Sequence, residues 1–438
     1  MHQDNAGLPP EVADRFTEPF ARFLKIEAAA GGALLLATVA ALVLSNSAWS
    51  TPFLGFWETP IGLHFGSLDF TRSLRHWIND ALMTLFFFVV ALELKRELVL
   101  GELQNLRVAA LSFAGGLGGM LVPAALYLAL MKGQPGMHGW GTVMATDTAF
   151  VIGCLALFGS RLPPSLRVFL LSLAIFDDVG AILVVAVGYG TTLNWGALAL
   201  ATLGLAAVAA SARLGIRSVP IYFLLGVVIW FCFDASGIHP TITGVMLGLM
   251  TPTRVWVSDA RLRAILDRVL SYPKGEHWTG DTADRQDLRR AGTAVTESLS
   301  PVERLELMLH PWVGFAIMPI FALANAGVVI SGADFGQPVS LAIFAGLAFG
   351  KPIGVLTFSW IAVRLGLATR ALDLSWPLLA AGGLFTGIGF TMSLFIAGLA
   401  YAPAMLSAAK IGILGGSAVS AAAGFLMLMW LTSRKEAV

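Results

Sequence analysis

Two adjacent carboxylates, Asp177 and Asp178, stand in the middle of an apolar run from about Ser165 to Gly188. A run of roughly 20 apolar residues is long enough to be a membrane-spanning helix. Half of that length, at about 1.5 Å per residue, puts the pair near the bilayer midplane. A charge at that depth costs at least about 2.5–3.5 kcal/mol, so carboxylates there need a partner or a task. Three more ionisable side chains stand inside apolar segments: Asp80, Asp147 and Lys351. Asp147, the Asp pair and Lys351 each lie near the middle of their segments, which predicts one shared polar site. The plain alternative is a buried ion pair that only fastens helices. That alternative suits one partnership within the group, because a lone buried ammonium loses its proton and Lys351 therefore needs a carboxylate.

Adjacent residues on a helix point about 100° apart, so Asp177 and Asp178 cannot both face one ligand squarely. A division follows: one meets Lys351, and the other, with Asp147, faces a cavity. Carboxylate oxygens suit a hard cation such as Na+, Li+, H+ or Ca2+. A site of close carboxylates holds protons at one pH and a metal cation at another. Two ligands that exclude each other from one site are a mechanism for exchange.

The elements that must position these groups are helices. Of the 438 residues, 57% are hydrophobic and 13% charged, against about 25% charged in soluble domains, and the mean hydropathy is +0.78. These values describe an all-α polytopic membrane protein. The net charge of +1 gives no signal for nucleic acid. Cys154 and Cys232 stand in apolar stretches and read as small core residues, with neither a disulfide framework nor a metal site. The first twenty or so residues are polar, and no cleavable signal peptide is expected. Apolar segments at 23–46, 76–98, 106–131, 140–159, 165–188, 193–212, 219–234, 239–251, 305–330, 339–363, 376–400 and 406–432 predict about twelve spanning helices. Alternating residues around Gly66-Ser67, within about 58–71, predict a small extracytoplasmic β-hairpin whose unpaired edges could join a second copy. The charged stretch 252–304 reads as a loop with a flexible middle from Ser271 to Ser300. Lys and Arg concentrate in alternate loops, which predicts cytoplasmic N- and C-termini. The organisation expected is a single membrane domain: helices 1–2 with the hairpin at 23–104, a first core repeat at 105–190, helices 6–8 at 191–251, the loop 252–304, helix 9 at 305–338 and a second core repeat at 339–432.

Thr146, Asp147 and Thr148 are poor helix formers that bond nearby backbone. Far along the chain, Gly382-Gly-Leu-Phe-Thr-Gly-Ile-Gly-Phe-Thr391 is a glycine-interrupted apolar segment. The two are the middle members of helix triplets 3–5 and 10–12. Matched interrupted helices point to inverted repeats with two discontinuous helices, 4 and 11, crossing at midplane. Asp147 would then offset helix N-termini, and Lys351 helix C-termini. At one rim stand Glu93, Arg96, Glu97, Arg161 and Glu306; a funnel that attracts cations and senses pH is the sharper reading, and boundary anchoring the plainer one. His239 and His310, each before a proline, begin helices.

The combined strings resemble one family, the NhaA-type bacterial Na+/H+ antiporters. They are Trp77-Ile-Asn-Asp-Ala-Leu-Met83, Leu92-Glu-Leu-Lys-Arg-Glu-Leu98, Ala145-Thr-Asp-Thr-Ala-Phe150, Leu173-Ala-Ile-Phe-Asp-Asp-Val-Gly-Ala181, Leu309-His-Pro-Trp-Val313, Phe321-Ala-Leu-Ala-Asn-Ala-Gly327, Gly350-Lys-Pro-Ile-Gly354 and Gly387-Ile-Gly-Phe-Thr-Met-Ser393. The resemblance implies that Asp178 is the main cation-binding carboxylate and that Asp177 pairs with Lys351. It implies that Thr146 and Asp147 flank the site in the broken helix, with Asp178 and Asp147 as the Na+ or Li+ ligands. Glu93, Arg96, Glu97 and Glu306 match positions tied to pH activation, and Asp80 and His239 supporting ones. The fold-level expectation is an electrogenic, pH-regulated antiporter of a bacterial inner membrane. It would export Na+ or Li+ for more than one proton, use no cofactor and dimerise through the hairpin. Two departures from the family pattern are the long 252–304 stretch and Pro240 after His239. Rival readings carry specific requirements that this chain does not meet. An organic-anion symporter needs a roomy site with Arg or aromatic groups, and an intramembrane aspartyl hydrolase needs aspartates on two facing helices. A passive channel sits poorly with a buried Lys351.

Overall fold

In lipid every backbone N–H and C=O must be satisfied within the chain, so apolar runs become helices. The computed structural model describes residues 27–65, 68–101, 106–190, 192–216, 218–271 and 283–435. The polar N-terminal stretch, the expected helix start at 23, the hairpin tip Gly66-Ser67 and residues 272–282 lie outside the described residues. Among the described residues, nine helices are long and apolar enough to cross a membrane, or ten when the bent pair Trp376–Thr386 and Phe390–Ala400 counts as one span. Two of the about twelve expected segments stay below that length: Ala29–Ser45 and the nine-residue helix Ile242–Met250.

The chain divides into two compact units. The first comprises residues up to Leu82, Leu106–Tyr189 and Pro311 onward. It holds helices Glu27–Ser45, Leu106–Leu130, Pro164–Gly188, Met318–Asn325 and Pro403–Lys435, the span Pro338–Arg364 and both interrupted segments. Small residues set its closest approaches. A Cβ on Gly118 would lie 2.1 Å from the Gly354 carbonyl oxygen, and one on Gly354 2.1 Å from that of Gly118. The helices Leu106–Leu130 and Pro338–Arg364 therefore touch backbone to backbone at this point.

Both interruptions have local causes. Gly136, at φ +97°, takes the left-handed turn that opens a 3-10 helix, Met137–Val143, a conformation cheap only for glycine. The chain then runs unwound from Met144 to the N-cap Asp147, and the helix Thr148–Ala156 follows. In the second case the helix Trp376–Thr386 stops at Gly387, and Phe390–Ala400 resumes at an angle of 43°. Single π-turns lie at Ile78–Leu82, Val313–Ile317 and Gly346–Gly350; the first carries Asp80 and the last immediately precedes Lys351. A two-stranded antiparallel sheet pairs β1 (Pro60–Phe65) with β2 (Leu68–Ser73) in the register Pro60↔Ser73 to Phe65↔Leu68. The hairpin is thus set about two residues later than 58–71.

The second unit comprises Met83–Asn105 and Gly190–His310. Helix Ile242–Met250 lies against Met83–Val99, where a Cβ on Gly244 would meet the Thr84 carbonyl oxygen at 2.1 Å. The stretch 252–304 is not loop throughout. It contains helices Asp259–Leu270 and Ala283–Thr296, which pack on each other with Ala291 and Ala294 buried. Their charges had masked an amphipathic repeat: Leu262, Ile265, Leu266 and Val269 recur at helical spacing, which one partner helix suffices to cover. A capping box closes the stretch, with Ser300 Oγ 2.6 Å and Ser300 N 3.0 Å from Glu303 Oε2 and the Glu303 N–H donating to Ser300 Oγ at 3.3 Å. Cys154 and Cys232 are half-buried free thiols.

Candidate functional site

The two interruptions of the first unit meet, and Asp147 joins them. As N-cap of Thr148–Ala156, its Oδ1 accepts the Phe150 N–H at 3.1 Å. Its Oδ2 accepts the Thr391 N–H at 3.0 Å and the Thr391 hydroxyl. Its own N–H donates to the Ile388 carbonyl at 2.7 Å. One carboxylate therefore caps two helix N-termini, its own and that of Phe390–Ala400, where unpaired N–H groups carry partial positive charge. Asp147 is fully buried, and these donors satisfy both of its oxygens.

Across the same break stands a second set. Lys351 Nζ donates to Asp177 Oδ2 at 2.9 Å and to the Thr146 hydroxyl. Thr146 Oγ1 lies 2.6 Å from Asp177 Oδ2 and 3.1 Å from the Thr386 carbonyl oxygen. A threonine has one proton, and the shorter contact to a charged acceptor takes it. The ammonium, hydroxyl and carboxylate thus form a closed triangle, with Thr146, Asp177 and Lys351 all 0% exposed. At that burial the pair holds only because each charge has the other and a hydroxyl beside it. Asp177 Oδ1 has no hydrogen-bond partner among the described residues; it faces the glycine-lined flank of Leu106–Leu130, 3.5 Å from where a Cβ on Gly116 would sit. Asp178, 4% exposed, meets the Thr148 hydroxyl through Oδ2 at 3.4 Å, a weak contact by distance.

The structure therefore brings Thr146, Asp147, Asp177, Asp178 and Lys351 to one buried place, and it gives the Asp neighbours different company. Asp147 differs from the expectation that it faces a cavity beside Asp178, because its oxygens are turned onto helix ends. Lys351 reaches the break through the Thr146 hydroxyl, which lies 3.1 Å from the Thr386 carbonyl oxygen at the end of Trp376–Thr386. Thr148, Thr386 and Thr391 belong to the site and were missed. Thr391 had no signal beyond its place in the glycine-rich string, since the Asp147 contact spans 244 positions. The carboxylates and hydroxyls present oxygens, and among the described residues no three His, Cys, Asp or Glu side chains are arranged to hold a metal ion.

The remaining residues make other contacts. In the second unit Arg96 pairs with Glu306 at 2.7 Å and with Glu97 at 2.9 Å, and Glu93 adds its charge to the same group. His239 Nδ1 sits 2.8 Å from Thr241 Oγ1 just ahead of Ile242–Met250, at the start of that helix. Asp80, in the first unit, is buried and holds His76 at 2.9 Å and Arg72 at 3.7 Å. Neither of those partners stood out in the sequence.

Known proteins resemble this chain in sequence along nearly its whole length. The family described as Na+/H+ antiporter 1 matches residues 21–428. A Na(+)/H(+) antiporter NhaA of Rhizobium meliloti (strain 1021) is 62% identical over 433 residues, covering 99% of each chain. Na(+)/H(+) antiporter NhaA 1 of Acidiphilium cryptum (strain JF-5) is 60% identical, covering 98% of this chain and 96% of the relative. Na(+)/H(+) antiporter NhaA 2 of Vibrio vulnificus (strain CMCP6) is 52% identical with the same coverage. With a family match over nearly the whole chain and relatives this similar end to end, this multi-pass membrane protein belongs to the Na+/H+ antiporter 1 family.

Proposed function

We propose that this chain exchanges cytoplasmic Na+ or Li+ for more than one external proton across a bacterial inner membrane, driven by membrane potential as well as pH. The observation that carries this reading is the asymmetry of the adjacent carboxylates. Asp177 is locked between Lys351 and Thr146, whereas Asp178, turned about 100° away on the same helix, is buried beside the Thr148 hydroxyl of the broken helix. Asp178 is then the carboxylate at which Na+ and H+ compete, with Asp147 and Thr146 completing the site. In the arrangement described, Asp147 acts by neutralising the two helix N-termini that would otherwise repel a cation. Asp177 and Lys351 hold a second proton between them. Names of relatives at 52–62% identity support the exchange of Na+ for H+.

The finer organisation follows the same reading. Residues 105–190 and 339–432 are inverted repeats whose interrupted helices cross at midplane, and the contact between Asp147 and Thr391 supports that pairing. The Arg96–Glu306–Glu97 group with Glu93 tunes activity to cytoplasmic pH. Asp80 and His239 support it, and the hairpin joins two copies into a homodimer.

The test is Na+-driven proton movement in everted membrane vesicles. Asp178→Asn is expected to abolish it, and exchange at the wild-type rate in that variant would overturn the mechanism. In the wild type the KM for Na+ should fall about tenfold per pH unit for each proton displaced, until the carboxylate is deprotonated. Rates should rise when an interior-negative potential, in the sense of the cell, is imposed.

A further inference from the structure

Five tyrosines occur in the chain, and three of them converge on one 3-10 turn, Met137–Val143, which nothing in the exchange mechanism uses. The Tyr127 hydroxyl, from the end of Leu106–Leu130, donates to the Gly136 carbonyl at 2.7 Å. The Tyr401 hydroxyl, just beyond Phe390–Ala400, lies 2.7 Å from that of Tyr127 and 3.3 Å from the Gly139 carbonyl. Since Tyr127 spends its one proton on Gly136, Tyr401 donates to Tyr127. The Tyr189 hydroxyl, at the C-cap of Pro164–Gly188, donates to the His138 carbonyl at 3.1 Å and accepts the Gly141 N–H at 3.2 Å. Tyr127 is fully buried and Tyr401 nearly so. A Cβ on Gly139 would fall 2.1 Å from the Tyr401 hydroxyl oxygen, so the turn is moulded around that ring.

The gripped turn, closed by the Met144 N–H on the Gly141 carbonyl at 3.1 Å, leads straight into the unwound residues Ala145–Asp147. Two of the helices that supply tyrosines also supply the site: Pro164–Gly188 carries Asp177 and Asp178, and Phe390–Ala400 carries Thr391. The tyrosines lie ten to twelve residues further along those helices, roughly 15 Å from the site at 1.5 Å per residue. We infer that Tyr127, Tyr189 and Tyr401 form a collar of positioning residues that sets where Thr146 and Asp147 stand relative to Asp178, and thereby the affinity for Na+. A collar of neutral hydroxyls works in the low-dielectric interior without adding a charge that would compete for the cation. This inference rests on the antiport reading of the site.

The experiment compares Tyr401→Phe and Tyr189→Phe with wild type in reconstituted proteoliposomes, measuring KM for Na+, maximal rate and the thermal midpoint of the purified protein. Each removes hydroxyl bonds and keeps the ring, and the two act through separate bonds, so one remains informative if the other folds poorly. KM should rise about fivefold, the share of one neutral hydrogen bond, with the maximal rate within about twofold. Tyr222→Phe, whose hydroxyl bonds the Ile216 carbonyl in the other unit, should leave KM unchanged. A lowered thermal midpoint with unchanged KM in both collar variants would overturn the proposal, as would an equal KM rise in Tyr222→Phe. If wild type shows no Na+-driven proton movement, the antiport reading itself fails; if wild type exchanges and the collar variants keep its KM, only the collar fails.

Discussion

Adjacent residues on one helix do different work here because the helix turns about 100° between them. Asp177 Oδ2 receives Lys351 and Thr146, all three fully buried. Breaking such a pair from one side leaves an uncompensated charge inside and costs about 3–5 kcal/mol. Lys351→Ala should therefore unfold at a much lower temperature than wild type. Adding Asp177→Asn to that variant removes the stranded charge and should restore part of the lost stability. Thermal unfolding of the three purified proteins checks this, and a double variant less stable than Lys351→Ala would contradict the pairing. Asp147 meets a different need: it satisfies N–H groups at two helix starts, each of which would otherwise be a buried orphan donor.

At the scale of elements, the breaks and the close helix crossings belong together, since unwound backbone inside a membrane protein has to bond to neighbouring segments. Asp147, the last residue of the unwound stretch, finds its partners in Ile388 and Thr391 of the other interruption. The helices around them can stand close enough only where side chains vanish. At Gly118 and Gly354 the backbones touch, and Lys351 lies one turn before Gly354. Gly118→Ala should force these helices apart, cost about 1–3 kcal/mol of stability and weaken exchange through displacement of Lys351. Gly32→Ala, whose Cβ would meet nothing within 4 Å, is the matched control and should leave stability and rate unchanged. Thermal midpoints and vesicle assays on both variants decide the point.

For the whole molecule, the chain separates the two kinds of chemistry. The first unit contains the carboxylate site, the hairpin and the tyrosine collar; the second contains the Arg96–Glu306–Glu97 group and the amphipathic helices 259–270 and 283–296. The hairpin carries none of the site groups, so its part in function is best tested through assembly. On the proposed homodimer, replacing residues 62–71 by two glycines should leave a monomer by native mass spectrometry, with exchange per chain within about twofold, because the proposed site draws on one chain alone. A variant that stays dimeric would remove the hairpin from the interface.

Much of this was legible in the linear order of residues. The price of burying a charge is a property of a residue and its own segment, so Asp147, Asp177, Asp178 and Lys351 announced themselves by sitting in apolar runs. The same holds for the helices, the hairpin and the interruptions, which arise from neighbours a few positions apart. The helices Asp259–Leu270 and Ala283–Thr296 are hard to read from the sequence, because their charges outweigh a weaker apolar repeat that needs only one partner helix. What the fold alone decided is who meets whom. Lys351 bonds Thr146 across 205 positions and Asp147 meets Thr391 across 244, and the three tyrosines converge from helices far apart in the chain. Hydrogen bonds depend on distance and direction to within fractions of an ångström, and that geometry between distant segments exists only once the helices have packed.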